Sequence, residues 1–156
     1  MLRHFRNLLG MLSMLVAFGG SVHAEVGVDL NAAFYSDYMF RGFNLYDGAS
    51  IQPSVGVSYD MQDAGAVRAG LWSHLSAEGG NGASDKFTEL DYILSYDISA
   101  GLASFSAGHI WYTFPRDSDG LDDTGEFYGA VSFDTLLSPT VSVYYDYDLF
   151  DAFYYE

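Results

Sequence analysis

The chain has 156 residues, 21 acids against 6 bases, a formal charge of −15, no cysteine and 17% aromatic residues. The lack of Cys excludes disulfide scaffolds, Cys-ligated zinc or iron–sulfur centres and thiol catalysis, and the charge excludes the basic surface that nucleic acid requires. With 13 Tyr and 12 Phe it is far from the aromatic-poor composition of a disordered acidic segment, so it is expected to fold, in surroundings that tolerate exposed aromatics.

Arg3, His4 and Arg6 precede the apolar run Leu8 to Phe18, after which Gly19, Gly20 and Ser21 lead to Val22-His23-Ala24. A basic start, a short apolar stretch and a small-residue end predict a cleaved secretory signal peptide over residues 1–24. The run is shorter than the ~20 residues of a spanning helix. No Cys comes after Ala24, which argues against a lipid anchor. Residues 25–156 are expected to form one transmembrane β-barrel domain, and they keep all 21 acids against Arg41, Arg68, Lys86 and Arg116.

From Val26 to Phe40 the residues alternate. Val26, Val28, Leu30, Phe34, Tyr38 and Phe40 fall on one face, and Asp29, Asn31, Tyr35 and Asp37 on the other, the period of a strand. The same period puts Ile51, Val55, Val57 and Tyr59 opposite Gln52, Ser54, Ser58 and Asp60. Val67, Ala69, Leu71 and Leu75 lie opposite Arg68, Gly70, Trp72 and His74. Leu90, Tyr92, Leu94, Tyr96 and Ile98 lie opposite Glu89, Asp91, Ser95 and Asp97. Ala103 to Phe114 is strand-like but apolar on both faces, which leaves its orientation open. Phe127, Gly129, Val131 and Phe133 oppose Glu126, Tyr128, Ser132 and Asp134. Val141, Val143, Tyr145, Tyr147 and Leu149 oppose Ser142, Tyr144, Asp146 and Asp148. Seven strands are predicted.

Ser58-Tyr59-Asp60, Ser95-Tyr96-Asp97 and Ser132-Phe133-Asp134 recur at a spacing of 37 residues, the length of a hairpin of two ~10-residue strands with one short and one long connection. Short links are expected near 61–65, 99–102 and 135–140, and longer Gly-, Ser- and Asp-rich loops near 42–50, 76–86 and 115–125. Short turns on one side and long loops on the other are the pattern of outer-membrane barrels, in which closure pairs every backbone group without helices. The soluble rival, an exported sandwich or lipocalin-like barrel, has the same period with its faces reversed. Tyr and Phe near strand ends favour lipid outside. Tyr38, Phe40, Tyr59, Tyr96, Phe133 and Tyr147 are the candidates for aromatic girdles at the membrane interfaces. Seven strands is an odd count, whereas bacterial barrels have an even number of at least eight. Phe153 to Glu156 is too short to cross, so the barrel is expected to be incomplete, its closing strands missing from a truncated C-terminus.

Ser36-Asp37-Tyr38-Met39-Phe40-Arg41-Gly42, close after the signal-like start, is the most distinctive run of the chain. With Thr88 to Tyr92, Gly108 to Pro115 and Gly125 to Ser132 coming after it in that order, the sequence resembles the TorF-type family of proteobacterial porins over its whole length after Ala24. The resemblance implies an outer-membrane β-barrel of a Gram-negative bacterium. Members of that family are usually longer at the C-terminus, and this chain lacks their closing strands with a terminal aromatic.

The polar face supplies the candidate lumen residues: Asp29, Asn31, Tyr35, Asp37, Arg41, Arg68, Glu89, Asp91, Glu126 and Asp146. Lining a water-filled pore, they would favour cations. Alternatively Arg41 and Arg68 pair with Glu89, Asp91 and Glu126 and plug a narrow barrel, since interiors of about eight strands are filled by side chains. Asp117 to Asp123 fails the EF-hand template, because Leu121 stands at a ligand position, and reads as a solvated loop. No metal or cofactor is therefore expected. His74 and His109 lack any nucleophile elbow, and no catalytic residue is assigned. The expected function is a porin passing ions or small solutes, with outer-membrane lipid as its surroundings. The alternative is a plugged structural or adhesin-like barrel.

Overall fold

The structure, a computed structural model, describes residues 13–14, 25–77, 86–115 and 122–156. The expected signal peptide, apart from Ser13 and Met14, lies outside the described residues, as do Arg116 and most of the acidic loop beginning at Asp117. The described residues form one antiparallel sheet in sequential order: β1 (Ser13–Met14), β2 (Glu25–Phe40), β3 (Phe43–Asp60), β4 (Ala66–Ser76), β5 (Lys86–Ala100), β6 (Ala103–Thr113), β7 (Thr124–Phe133), β8 (Thr140–Asp146) and β9 (Ala152–Tyr155). A single 3-10 turn, Gln62–Ala64, is the only helical element among them, and no helix is long and apolar enough to cross a membrane. The protein is thus all-β. Its sheet is not closed: β2 and β9 do not pair, and β1 covers β2 only at Asn31 and Leu30.

The seven predicted strands are β2 to β8, and an eighth, β9, pairs Ala152 to Tyr155 against β8. Two boundaries differ from the sequence reading. The segment 42–50, expected as a loop, is the first part of β3. It pairs back on β2 through Phe43↔Phe40, Asn44↔Met39 and Tyr46↔Tyr38, and the connection is only Arg41-Gly42. Gly48 and the Asp and Asn of this segment read as loop signals, yet each sits in a ladder position or at the irregularity between Tyr35 and Asp37. At the other end, β8 stops at Asp146 rather than continuing to Leu149. The Asp146 carboxylate accepts the backbone N–H groups of Asp148, Leu149 and Phe150, and this local capture of donors competes with the ladder and turns the chain.

Register fixes which residues share a face. Trp72, Asp91 and Tyr112 stand side by side on β4, β5 and β6, while Leu71, Tyr92 and Trp111 stand together on the other face. The open orientation of β6 is thereby settled: Ser104, Ser106, Gly108, Ile110 and Tyr112 share the face of Asp91, and Phe105, His109 and Trp111 the face of Tyr92. The sheet curls around the first of these faces, because Arg41, at the tip of the β2–β3 hairpin, reaches Glu126 on β7 and Tyr154 on β9.

The burial pattern is inverted relative to a water-soluble fold. Among the described residues the buried apolar side chains are Ala33, Tyr38, Ala66 and Tyr112, whereas the buried polar ones include His74, Glu89, Asp91, Thr124, Glu126 and Asp146. The convex face carries Phe34 (64% exposed), Leu94 (55%), Val141 (58%) and Phe127 (57%). An exposed apolar face of this extent marks a surface that meets a partner, protein or membrane, rather than bulk water.

Tyr59, Tyr96 and Phe133 all lie on the convex face. Tyr59 and Tyr96 sit on one row, joined through Val67. Phe133 is four residues off that row, which runs on through Ala107 to Gly129. Close strand contact explains one glycine. A Cβ at Gly108 would lie 2.5 Å from the Leu94 carbonyl oxygen and 2.5 Å from a Tyr128 ring carbon. Gly108→Ala is therefore expected to force the β5–β6 backbones apart and cost about 1–3 kcal/mol, read as a lower urea midpoint of the refolded protein.

Candidate functional site

The chemistry is concentrated on the concave face, towards the end of the sheet that carries the β2–β3 turn. There Arg41 (φ 48°) and Gly42 (φ 84°) form the two-residue turn with both φ positive that matches the twist of a hairpin. A non-glycine side chain in that conformation costs about 1–2 kcal/mol. Tertiary contacts offset it. Nη1 of Arg41 donates to Oε1 of Glu126 at 2.6 Å and Nη2 to Oε2 at 2.7 Å. The guanidinium also lies 4.6 Å from the Phe40 and Tyr144 ring centres and 4.3 Å from that of Tyr154. A bidentate fork with aromatic faces is an arrangement that Arg, and not Lys, can fill. The Tyr112 hydroxyl donates to Oε2 of Glu126 at 2.8 Å, which completes the anion's shell.

Beside this latch, β5 presents Glu89 and Asp91, 5% and 7% exposed. Their register partners are His74 for Glu89, and Trp72 and Tyr112 for Asp91. Tyr38 crosses the concavity from β2, stacks on His74 (4.7 Å, 22°) and meets Trp72 at 5.5 Å. Its hydroxyl is directed at the Glu89 carboxylate. His74 is held by a hydrogen bond between Nδ1 and the Thr88 hydroxyl. Among the described residues three buried polar atoms have no hydrogen-bond partner: Oδ1 of Asp91, Nε2 of His74 and Oδ1 of Asn31. Asp146 closes the same end of the sheet. It accepts from the Thr124 hydroxyl at 2.8 Å in addition to its three backbone donors.

The other half of the concave face is lined by small residues. Ser99 bonds Ser104 at 2.9 Å and Ser132 bonds Thr140 at 2.8 Å. Arg68 pairs with Asp97 at 2.9 Å, both partly exposed. The interior thus divides into an aromatic and charged half and a hydroxyl-lined half.

Of the ten candidate lumen residues, Glu89, Asp91, Glu126 and Asp146 are buried together on the concave face, and Arg41 joins them. Arg68 does not meet Glu89, Asp91 or Glu126, and its partner is Asp97 instead. Because that pair is exposed, Arg68→Ala is expected to cost less than about 1 kcal/mol in the same urea titration. Asp29, Asn31 and Tyr35 on β2 pair with Gly56, Ser54 and Ser50 on β3, at the edge of the sheet that β1 covers only at Leu30 and Asn31, and Asp29 and Tyr35 remain exposed. Asp37 is displaced from the lumen set. The irregularity between Tyr35 and Asp37 reverses the alternation, so Tyr38 turns inward and Asp37, bonded by Ser36, lies on the opposite face. The same reversal removes Tyr38 (6% exposed) from the girdle candidates, and Phe40 packs inward against Tyr112. Tyr147 is on the outer side, where its hydroxyl bonds Nε2 of His109 at 2.8 Å beside Phe127. Trp72 and His74 fall on the polar face in the sequence, but nothing there gives them a part. Tyr112 is hidden by its strand's two apolar faces, and Tyr144 and Tyr154 carry no local signal of a guanidinium from the far side of the sheet.

The chain matches no protein-family model, no curated protein and no solved structure. The class the geometry defines is an antiparallel all-β protein with an apolar exterior and a polar, carboxylate-rich concave face.

Proposed function

We propose that the chain inserts as β-strands into the outer membrane of a Gram-negative bacterium, after export on a cleaved signal peptide, and acts as a porin for passive diffusion of ions or small solutes, without catalysis. The observation that carries this reading is the inversion of burial. Carboxylates are enclosed while Val, Leu and Phe are exposed on the convex face, an arrangement favourable where the outer solvent is hydrocarbon. The ladder gives the strands internal hydrogen bonds, and the sequence's resemblance to TorF-type porins points the same way. The acids in the interior suit cations. The free edges of β2 and β9 would need partners in lipid.

A second reading, a plugged structural barrel, is favoured by the Arg41–Glu126 latch, which lies across the concavity. Planar-bilayer recording of the refolded protein separates the two. A porin gives discrete, cation-preferring conductance that rises when Arg41 is replaced by Ala. Membrane-bound protein that stays silent with and without the latch rejects conduction and leaves the plug.

A further inference from the structure

The concave face already shows how this protein holds one cation. Arg41 is gripped by a carboxylate, the carboxylate is fixed by a tyrosine hydroxyl, and three aromatic rings flank the charge. The same ingredients recur one strand pair away, with His74 beside them and no Arg or Lys paired to them among the described side chains. Glu89 and Asp91 point to one face of β5, ~6.6 Å apart along the strand. Trp72 and Tyr112 flank Asp91 at cross-strand spacing, and Tyr38 stacks over His74 beside Glu89. Among the described side chains the ion pairs are Arg41–Glu126 and Arg68–Asp97, so neither acid is in an ion pair there, although His74 stands opposite Glu89. The Asp91 side chain, more than nine-tenths buried, keeps Oδ1 without a hydrogen-bond partner, and its electrostatic neighbours are Glu89 and Glu126.

Enclosing two carboxylates without a counter-charge costs several kcal/mol each, a cost that a positive ligand held between them would offset. Among the described residues no three acidic or histidine side chains converge as metal ligands, which disfavours a divalent ion. The spacing suits one ammonium group between the two carboxylates, its N–H donors shared between them and its carbon end against the rings of Trp72 and Tyr112. We propose that Glu89 and Asp91, with Trp72, Tyr38 and Tyr112, form a binding site for the primary ammonium group of a small aliphatic amine. The site rests on the concave face being the protein's interior, as the porin reading does, but not on conduction.

Trp72 and Trp111 are the only tryptophans of the chain, and Trp111 lies on the convex face. The full chain carrying Trp111→Phe, refolded in detergent micelles, therefore reports on the site through Trp72 fluorescence. Methylammonium chloride is expected to give a saturable change that sodium chloride and tetramethylammonium chloride at equal ionic strength do not. Glu89→Gln and Asp91→Asn are each expected to weaken it by about tenfold or more, as loss of a charged hydrogen bond implies, while Asp134→Asn at the β7–β8 turn leaves it unchanged. An equal response to all three salts, or none, overturns the site, as does an Asp91→Asn protein that folds and binds unaltered. The three-salt comparison on the Trp111→Phe protein decides the matter even where the acidic variants fail to fold. Binding without bilayer current removes the porin reading and leaves the site, and current without binding does the reverse.

Discussion

Replacing Arg41 by Ala is expected to cost about 3–5 kcal/mol of folding stability, the range for removing one partner of a buried pair. The side chain is 16% exposed and that of Glu126 5%, so the carboxylate left behind would lie among Tyr112, Phe40 and its own strand with little access to water. Nothing else among the described residues forms an ion pair with Glu126. Lys at this position retains the charge but neither the fork nor the flat stacking against Tyr144 and Tyr154, so its loss should be intermediate. Gly should be milder than Ala by about 1 kcal/mol, because it relieves the positive φ of the turn. The order Arg, Lys, Gly, Ala in urea midpoint, with the two last in that sequence, is a pattern that a purely surface salt bridge would not produce.

The second large effect is on the opposite face. Leu94→Arg is expected to destabilise the protein in liposomes by about 2–4 kcal/mol, as for a cation on a lipid-facing strand near the midplane. Leu94 is 55% exposed and sits mid-strand on β5, between Ala69 and His109 in register. In a water-soluble fold an exposed Leu exchanged for Arg changes stability by under about 0.5 kcal/mol. Comparing the urea midpoint of Leu94→Arg with that of Asp134→Arg, outside the strands, reads the difference directly.

Much of the sheet is legible in the sequence because period-two alternation is a local property. From Val67 to Tyr145 the faces deduced from the residues are those found, except on β6, whose two apolar faces left its orientation open until its register with β5 fixed it. The features that stay hidden in the sequence are non-local or depend on one residue. The irregularity at Ser36 costs β2 a single step and so exchanges the roles of Asp37 and Tyr38, which moves Tyr38 from the outer belt to the centre of the site. The segment Phe43 to Ala49, with Asn44, Asp47 and Gly48, carries loop residues, yet the two-residue turn before it commits it to pair with β2. Arg41 is legible as a charge on the polar face. That it chooses Glu126, 85 residues away, over Glu89 or Asp91 depends on how far the sheet curls, which no spacing in the sequence encodes. Asp146 is a similar case: the alternation continues through Leu149, but three backbone donors converge on one carboxylate and end the strand.

If the protein is a membrane-spanning sheet, its convex face meets hydrocarbon and its concave face does not. The chain has no cysteine, so single Cys residues can be placed one at a time at positions 90 to 97 of β5 and spin-labelled after refolding into liposomes. High accessibility to dissolved oxygen, which partitions into lipid, is expected at 92, 94 and 96, and low accessibility at 91, 93 and 95. High accessibility to a water-soluble paramagnetic reagent at 92, 94 and 96, with no response to oxygen beyond that of bulk water, would contradict a lipid-facing convex surface.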